Sequence, residues 1–134
     1  MAKKTKRQRL IAKLDEVFSI YIRLRDADKN GNVTCFTCGK KEYWKGKGMQ
    51  CGHFMSRKHL ATRWNETNCQ VQCVGCNVYK YGEQYKFSVN LDSKYGSGTA
   101  EQLHQKTRET TKLDLIDLEM LINTYKEKID SLNN

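Results

Sequence analysis

Two Cys-x-x-Cys pairs constrain the fold of this chain more than any other feature of its sequence. Cys35 and Cys38 form the first pair, Cys73 and Cys76 form the second, and 34 residues (39–72) lie between them. Four thiolates are the ligand set that tetrahedral structural zinc prefers. Because zinc held by four thiolates has no open coordination position, the sequence predicts an ion that stabilises the fold and performs no chemistry.

Other roles for the six cysteines fit the sequence less well. Disulfide frameworks are typical of small secreted proteins, and the chain shows no secretory signal segment and no apolar run near the roughly 18 residues that span a bilayer. A redox-active pair would be expected within a βαβ pattern, which surrounds neither pair. Cys51 and Cys69 are expected to be small buried hydrophobic residues. We therefore expect a soluble, cytoplasmic protein without a membrane partner.

The chain is strongly basic, with 24 Lys and Arg residues against 15 Asp and Glu and a formal net charge of +9. We expect a basic tail over residues 1–9, which contain no acidic residue. Phosphate backbones attract such charge, so the pattern indicates DNA as a partner, while a merely solvated tail is the alternative. The candidate phosphate contacts in this tail are Lys3, Lys4, Lys6, Arg7 and Arg9.

Apolar residues spaced three and four apart predict helices at both ends of the chain. The C-terminal stripe from Leu115 to Leu132 has a coiled-coil-like spacing, so it either packs on the N-terminal helix or forms the seam of a homodimer. Between the helices the sequence is rich in turn residues, which predicts short strands and a long loop. We expect one α+β domain with a basic tail (1–9), a packing helix (10–28), a zinc-bound core (33–82) and a helical C-terminal region (83–134).

The zinc pairs bracket a second group of polar residues. His53 follows Gly52, Asn68 ends the segment "NETN", and Asn77 follows the last zinc cysteine directly. A hairpin and a helix held together by zinc would bring His53 and Asn77 to one small surface. In these residues the chain resembles the HNH, or ββα-metal, nucleases whose zinc is held by two Cys-x-x-Cys pairs.

The resemblance is most specific to the NinG (Rap) recombination-protein family of lambdoid phages. It is carried by "RDADKNGNVTCFTCGK", "GHF", "RWNETN", "QCVGCN" and "KYG", which together span Arg25 to Gly96. Phage resolvases of the endonuclease VII type are similar only in their zinc and in their His-to-Asn arrangement. The resemblance implies a small zinc-stapled ββα-metal (HNH) core, flanked by helices, that cuts branched, Holliday-junction-like DNA during phage recombination.

Phosphodiester hydrolysis needs a base, a divalent ion and rigid placement of both. His53 suits the base, because histidine titrates near neutral pH. Asn77 offers an oxygen to Mg²⁺ or Mn²⁺, and Asn68 is expected to fix the long loop and so orient His53. The residues expected to meet phosphates around the cut are Arg57, Lys58, Arg63 and Lys80.

One residue departs from the HNH pattern. Many HNH nucleases carry an Asp before the catalytic His, where this chain has Gly52. Glu66 is the candidate for the missing anionic ligand, with helix capping or arginine pairing as its alternative, and His59 is a further candidate. Trp64 and Tyr79 either stack on bases at a distorted junction or lie in the core.

Two other functions therefore stay open. In the first, the chain is a catalytically inactive zinc-ribbon DNA-binding or recombination accessory protein, and Gly52 marks a lost site. In the second, it is an HNH nicking enzyme, sequence-specific or nonspecific. The fold alone does not decide the substrate.

Overall fold

The computed structural model describes residues 2–133, so the ends of the predicted tail and C-terminal region, Met1 and Asn134, lie outside the described residues. The elements in chain order are α1 (Lys6–Arg25), β1 (Asn32–Thr34), β2 (Lys41–Tyr43), β3 (Met49–His53), α2 (Leu60–Arg63), β4 (Cys69–Cys73), a π-helical turn (Gly75–Tyr79), α3 (Gln84–Tyr95), α4 (Thr99–Lys106) and α5 (Leu115–Leu132). This is the α+β architecture that the sequence predicts. Within residues 2–133, no helix combines the length and the apolar character needed to cross a membrane.

Helix α1 begins at Lys6, four residues before the predicted start at Leu10. The reason is a capping box, in which the Thr5 hydroxyl accepts from the backbone N–H of Gln8 at 3.1 Å and Gln8 Oε1 accepts from the backbone N–H of Thr5 at 2.9 Å. The basic tail predicted over residues 1–9 is therefore wrong for residues 6–9, which are helical. The Thr5-x-x-Gln8 spacing is the sequence signal that marks this start.

Helix α5 packs along α1, and this contact forms the main core. Leu14, Phe18 and Ile22 of α1 and Leu118 of α5 are at most 1% exposed. The rings of Phe18 and Tyr125 meet edge to face with centroids 4.8 Å apart. The apolar stripe of α5 thus packs on the N-terminal helix, the first of the two predicted alternatives. A homodimer through this helix stays a prediction.

Two antiparallel hairpins lie between these helices. β1 pairs with β2, and β3 pairs with β4 in a register that sets His53 opposite Cys69 and Met49 opposite Cys73. Every residue of β4 is buried, because its hairpin contacts α1 and β4 also contacts β1. This register places the start of β3, at Met49, beside Cys73 and the π-helical turn that follows it.

Helices α3 and α4 close the other side of the hairpin with a small core of their own. Phe87 and Leu91 of α3 and Leu103 of α4 are at most 5% exposed, and they pack against Phe36 and Phe54. Phe54 directly follows β3, so this cluster fixes the start of the long connection between β3 and β4. The connection carries α2 and five of the predicted site residues: Arg57, Lys58, Arg63, Glu66 and Asn68.

Candidate active site and metal centre

The four cysteines of the two Cys-x-x-Cys pairs form one cluster. Their Sγ atoms all lie within 4.8 Å of one another, and those of Cys38 and Cys73 are 3.7 Å apart. A zinc ion with Zn–S bonds of about 2.3 Å holds its tetrahedral sulfurs about 3.8 Å apart, whereas a disulfide needs about 2.05 Å. The cluster therefore has the dimensions of a structural zinc site, as the sequence predicts.

Local hydrogen bonds shape both zinc-binding turns. The backbone N–H of Gly39 donates to the carbonyl of Cys35 at 3.0 Å, and the backbone N–H of Cys76 approaches Cys73 Sγ at 3.5 Å. Burial acts to raise the pKa of Cys35, but backbone N–H donors and the Thr37 hydroxyl outweigh it and lower that pKa to about 6. These bonds favour the thiolate of Cys35, which is the form that binds metal, whereas the pKa of the Cys38 thiol in the same turn is raised.

A cavity of about 810 Å³ lies beside this metal centre and is called here the His53 cavity. Its wall is formed by side chains of the β3–β4 hairpin, the π-helical turn, α1 and the loop between β3 and β4. His53 and Asn77 both line it, so the structure brings together the two residues that the sequence predicts on one surface. The other polar residues around them are Asp15, Ser19, Gln50, Ser56, Arg57, Lys58, His59, Tyr81 and Gln84.

His53 is held in one tautomer by the backbone. Its Nε2 lies 2.9 Å from the carbonyl oxygen of Arg63. A carbonyl can only accept, so we assign the ring proton to Nε2, which leaves the lone pair of Nδ1 free to take a proton. Burial lowers the pKa of His53 below its ordinary value. The imidazole is therefore neutral at neutral pH, as a general base must be.

Asn68 is fully buried and fixes the long loop. Its Oδ1 accepts from the backbone N–H of Met55 at 2.8 Å, and its Nδ2 donates to the carbonyls of Met55 at 3.1 Å and Thr62 at 3.0 Å. These are the loop-fixing bonds that the sequence predicts for Asn68, and they hold the chain on both sides of the segment that carries Arg57 and Lys58. Its part in catalysis stays a prediction.

Asn77 pairs with a residue that the sequence did not suggest. Its Nδ2 donates to Oε1 of Gln50 at 2.7 Å, and both side chains line the His53 cavity. Residues alternate between the two faces of a strand, so Gln50 and His53, three positions apart on β3, are expected on opposite faces. The sequence therefore gave no reason to place Gln50 in the site with His53. The two amides together offer neutral oxygen ligands of the kind that Mg²⁺ and Mn²⁺ accept.

Asp15 of α1 was also missed, because nothing in its helical context distinguishes it from a solvated residue. Its carboxylate accepts from Arg63 Nη2 at 2.6 Å, from Arg63 Nε at 3.1 Å and from Trp64 Nε1 at 2.9 Å. Among the lining residues that the structure describes, it is the one carboxylate of the His53 cavity. Arg63 thus pairs with Asp15, and its predicted contact with phosphate stays a prediction.

Glu66 does not reach the cavity, so its prediction as the anionic metal ligand is wrong. Its carboxylate accepts from Tyr21 at 3.1 Å, Tyr125 at 3.0 Å and Lys128 at 2.8 Å, between α1 and α5. Burial acts to raise the pKa of Glu66, but these three hydrogen bonds outweigh it and lower that pKa. Glu66 therefore joins the two long helices to the loop.

The local turn explains this placement. Oδ1 of Asn65 accepts from the backbone N–H groups of Thr67 and Asn68, both at 2.9 Å, which closes a tight turn around Glu66. Trp64, which precedes the turn, packs against the α1–α5 core. The structure therefore places Trp64 in the core, which is one of the two alternatives predicted for it.

Gly52 is required by its surroundings. A Cβ atom built on it would lie 2.0 Å from Oε1 of Gln72, whose side chain is fully buried and donates to Thr37 at 3.0 Å and to the carbonyl of Gly82 at 2.9 Å. The space that a side chain at position 52 would need is filled by a fixed residue. With Gln72 in this place, there is no room for an aspartate side chain at position 52.

A second group of possible metal-binding atoms includes a ring nitrogen of His53. Ligand atoms of Cys51, His53 and Cys69 fall within 4.8 Å of one another. Structural zinc takes four protein ligands, so this trio is one short. Cys69 is fully buried and Cys51 half-buried against the α1–α5 core, in agreement with their prediction as small hydrophobic residues.

The remaining basic residues predicted to contact DNA phosphates differ in their surroundings. Arg57 and Lys58 line the His53 cavity, and Lys3 and Lys4 line a neighbouring cavity that shares Asp15 with it. Lys80 is exposed after the π-helical turn. Three others contact the protein itself: Lys6 pairs with Glu119 at 3.3 Å, Arg7 donates to the carbonyl of Leu113, and Arg9 donates to that of Lys4 at 2.8 Å.

Comparison with known proteins gives one family. The family model described as "Bacteriophage Lambda NinG protein" matches residues 1–134. "Protein ninG" of Escherichia phage lambda is 26% identical over 130 residues, covering 92% of this chain and 57% of the lambda protein. "Protein ninG" of Salmonella phage P22 is 25% identical over 130 residues, covering 92% and 58%. The chain thus spans under three-fifths of the length of these relatives. No solved structure matches it.

Proposed function

The chain belongs to the NinG family of bacteriophage proteins, and on that premise we propose that it is a metal-dependent endonuclease of the HNH type that cuts branched DNA during recombination. One observation carries the proposal: His53, with Nδ1 available, and Asn77 line one basic cavity beside a four-thiol metal centre. A ββα-metal core needs a hairpin and a helical turn, held together by a metal centre, that present a base and an oxygen ligand. The hairpin, the four-thiol cluster and the positions of His53 and Asn77 support the proposal in this respect.

The residues of the cavity have separate tasks in the proposed reaction. Nδ1 of His53 accepts the proton of the attacking water, while the Arg63 carbonyl keeps the ring in the required orientation. Arg57 and Lys58 contact the phosphates on either side of the cut, where their charge favours binding. Asn68 keeps the loop that carries them in place.

A divalent ion bound here would stabilise the negative charge that develops on the scissile phosphate. Asn77 and Gln50 are the residues that would hold it, because their side-chain oxygens are hard, neutral ligands. Asp15 is bonded to Arg63 and Trp64, so the cavity has no free carboxylate among the described residues. This donor set fits an ion whose remaining ligands are phosphate oxygens of the DNA and water.

The shortage of free carboxylates favours a second candidate function, a catalytically inactive DNA-binding accessory protein of recombination. Both candidates use the zinc centre and the basic surface in the same way. They differ in whether phosphodiester bonds break. Preference for branched DNA comes from the resemblance described in the sequence analysis, and the zinc centre and the basic side chains of the cavity do not distinguish a branch point from a duplex.

The test uses the purified chain, a labelled four-way junction, and a linear duplex of the same sequence, each with Mg²⁺, Mn²⁺ or EDTA. We expect nicks in the junction that require the divalent ion and are lost in His53→Ala. Binding without nicks under every condition would favour the accessory protein. Equal nicking of junction and duplex would keep the nuclease and remove the branched substrate.

A further inference from the structure

We propose that Tyr79, Tyr81 and Tyr85 form a stacking site for unpaired nucleobases next to the His53 cavity, whose wall includes Tyr81. This group is called here the tyrosine platform. The inference deepens the proposed function and rests on it, because it names the part of a branched substrate that this surface would recognise.

The three rings are far more exposed than aromatic side chains ordinarily are. Tyr79 is 77% exposed, Tyr81 88% and Tyr85 81%, although all three fall within seven residues (79–85). Large aromatic residues usually bury most of their surface, so a cluster of exposed rings marks a binding surface. The alternative that placed Tyr79 in the core is therefore wrong.

Tyr81 is held in a conformation that L-residues rarely adopt. Its φ is +54°, a left-handed backbone that is unfavourable for a residue with a Cβ atom. The next residue fixes this conformation: the N–H of Gly82 donates to the carbonyl of Cys76 at 2.8 Å, and the carbonyl of Gly82 accepts from Gln72 at 2.9 Å. An exposed ring thus stands on a backbone anchored to a zinc ligand and to a buried side chain.

A ring on a fixed backbone suits ligand binding. Association then orders few additional degrees of freedom, so more of the contact energy appears as affinity. The position fits as well, because Tyr81 lines the His53 cavity together with Asn77. A base stacked on Tyr81 would lie directly beside the atoms that act on the phosphate backbone.

Charge identifies the occupant as nucleic acid. Two of the tyrosines are followed by an exposed lysine, in the dipeptides Tyr79-Lys80 and Tyr85-Lys86, and the whole chain carries +9. Proteins that bind single strands combine aromatic stacking surfaces with cationic groups that follow the phosphates. The bases must be unpaired, since within a duplex both faces of each base are covered by its neighbours. Such bases occur at flaps, frayed branch points and single-stranded gaps.

The test measures binding in EDTA, where no cleavage occurs, to a flap DNA with 2-aminopurine in its unpaired strand and to a fully paired duplex. We expect 2-aminopurine fluorescence to be quenched on binding. Tyr81→Ala and Tyr85→Ala should each weaken flap binding by about 5- to 100-fold and duplex binding by less than about twofold. Tyr81→Trp should retain flap binding, because stacking needs a ring and not a hydroxyl.

Tyr43→Ala is the matched control, since Tyr43 is a 54% exposed tyrosine on β2, outside the lining of the His53 cavity. Unchanged flap binding in both platform variants, or equal losses on flap and duplex, would overturn the inference. So would a change from dimer to monomer in Tyr81→Ala with unaltered DNA binding, which would make the platform a self-association surface. Tyrosine-dependent flap binding by a chain that never cleaves would support the platform and remove the nuclease.

Discussion

Asn68 bonds both backbone polar groups of Met55, accepting from its N–H at 2.8 Å and donating to its carbonyl at 3.1 Å. One side chain thus replaces the strand partner that Met55 lacks after β3 ends at His53. The loop between β3 and β4 owes its shape to this contact, and the wall of the His53 cavity depends on the loop.

Replacing Asn68 by Asp should therefore destabilise the chain and disturb the cavity together. The new carboxylate would face the carbonyls of Met55 and Thr62 without a hydrogen to donate, at a cost of about 1–3 kcal/mol. Urea denaturation would measure the loss against Asn123→Asp, an exposed asparagine of α5. An unchanged denaturation midpoint would show that the loop does not depend on Asn68.

Cleavage should remain active at mildly acidic pH. Burial lowers the pKa of His53, so the neutral imidazole that acts as the base persists below pH 6.5. The logarithm of kcat/KM should rise with pH and level off with a midpoint below about 6.5. The same midpoint is expected for His104→Ala, an exposed histidine of α4. A midpoint that moves when Mn²⁺ replaces Mg²⁺ would instead assign the ionisation to metal-bound water.

Substitution of Glu66 and of Asn77 should affect different properties. Glu66→Gln weakens the contacts with Tyr21, Tyr125 and Lys128, so stability should fall by about 1–2 kcal/mol while cleavage at low temperature continues. Asn77→Ala should leave the melting temperature nearly unchanged and reduce cleavage by about 100-fold or more. Thermal melts and single-turnover cleavage of the same preparations measure both. Loss of cleavage by folded Glu66→Gln would restore Glu66 as a ligand.

Gly52→Ala should be poorly tolerated. Its Cβ would overlap the fixed side chain of Gln72, and forced overpacking of this kind costs about 1–3 kcal/mol. Gly75→Ala is the control, because the nearest atom to a Cβ there lies 3.7 Å away. Equal stability of the two variants would mean that Gln72 can move aside, and an aspartate at position 52 would then be possible.

Zinc should be present at one ion per chain and should be required for folding. Structural zinc contributes about 10–16 kcal/mol in small domains, which equals or exceeds the total stability of most folds. Cys38→Ser removes an exposed ligand without opening a cavity and should abolish both zinc and cooperative unfolding. Cys51→Ser should keep the ion. Elemental analysis together with circular dichroism tests both variants, and a folded zinc-free Cys38→Ser protein would contradict the assignment.

The parts of the site that could be predicted from sequence are those set by local geometry. The spacing within each Cys-x-x-Cys pair fixes two ligands, and a tetrahedral ion then requires the pairs to meet, which carries His53 and Asn77 to one cavity. Three- and four-residue periodicity gave the helices at both ends. The capping box at Thr5 sets the start of α1 at Lys6, four residues before the start that the apolar spacing predicts.

The parts that could not be predicted depend on how distant elements pack. Asp15 enters the cavity because α1 crosses the hairpin, and no local pattern states that crossing. Glu66 lies between two asparagines of the site in sequence, yet the turn closed by Asn65 places it against α1 and α5 instead. The position of Glu66 between two asparagines in the sequence therefore did not predict which side of the loop its side chain faces.

The packing of α5 on α1 also sets an order of assembly during synthesis. The two helices are separated by 89 residues (26–114), so a ribosome working at about 5–20 residues per second finishes α1 some 4–18 s before it starts α5. During that interval the apolar face of α1 is not yet packed against α5. The part of the His53 cavity wall that carries Asp15 therefore lacks this support. The His53 cavity should thus reach its final form only after residues 115–132 have left the exit tunnel.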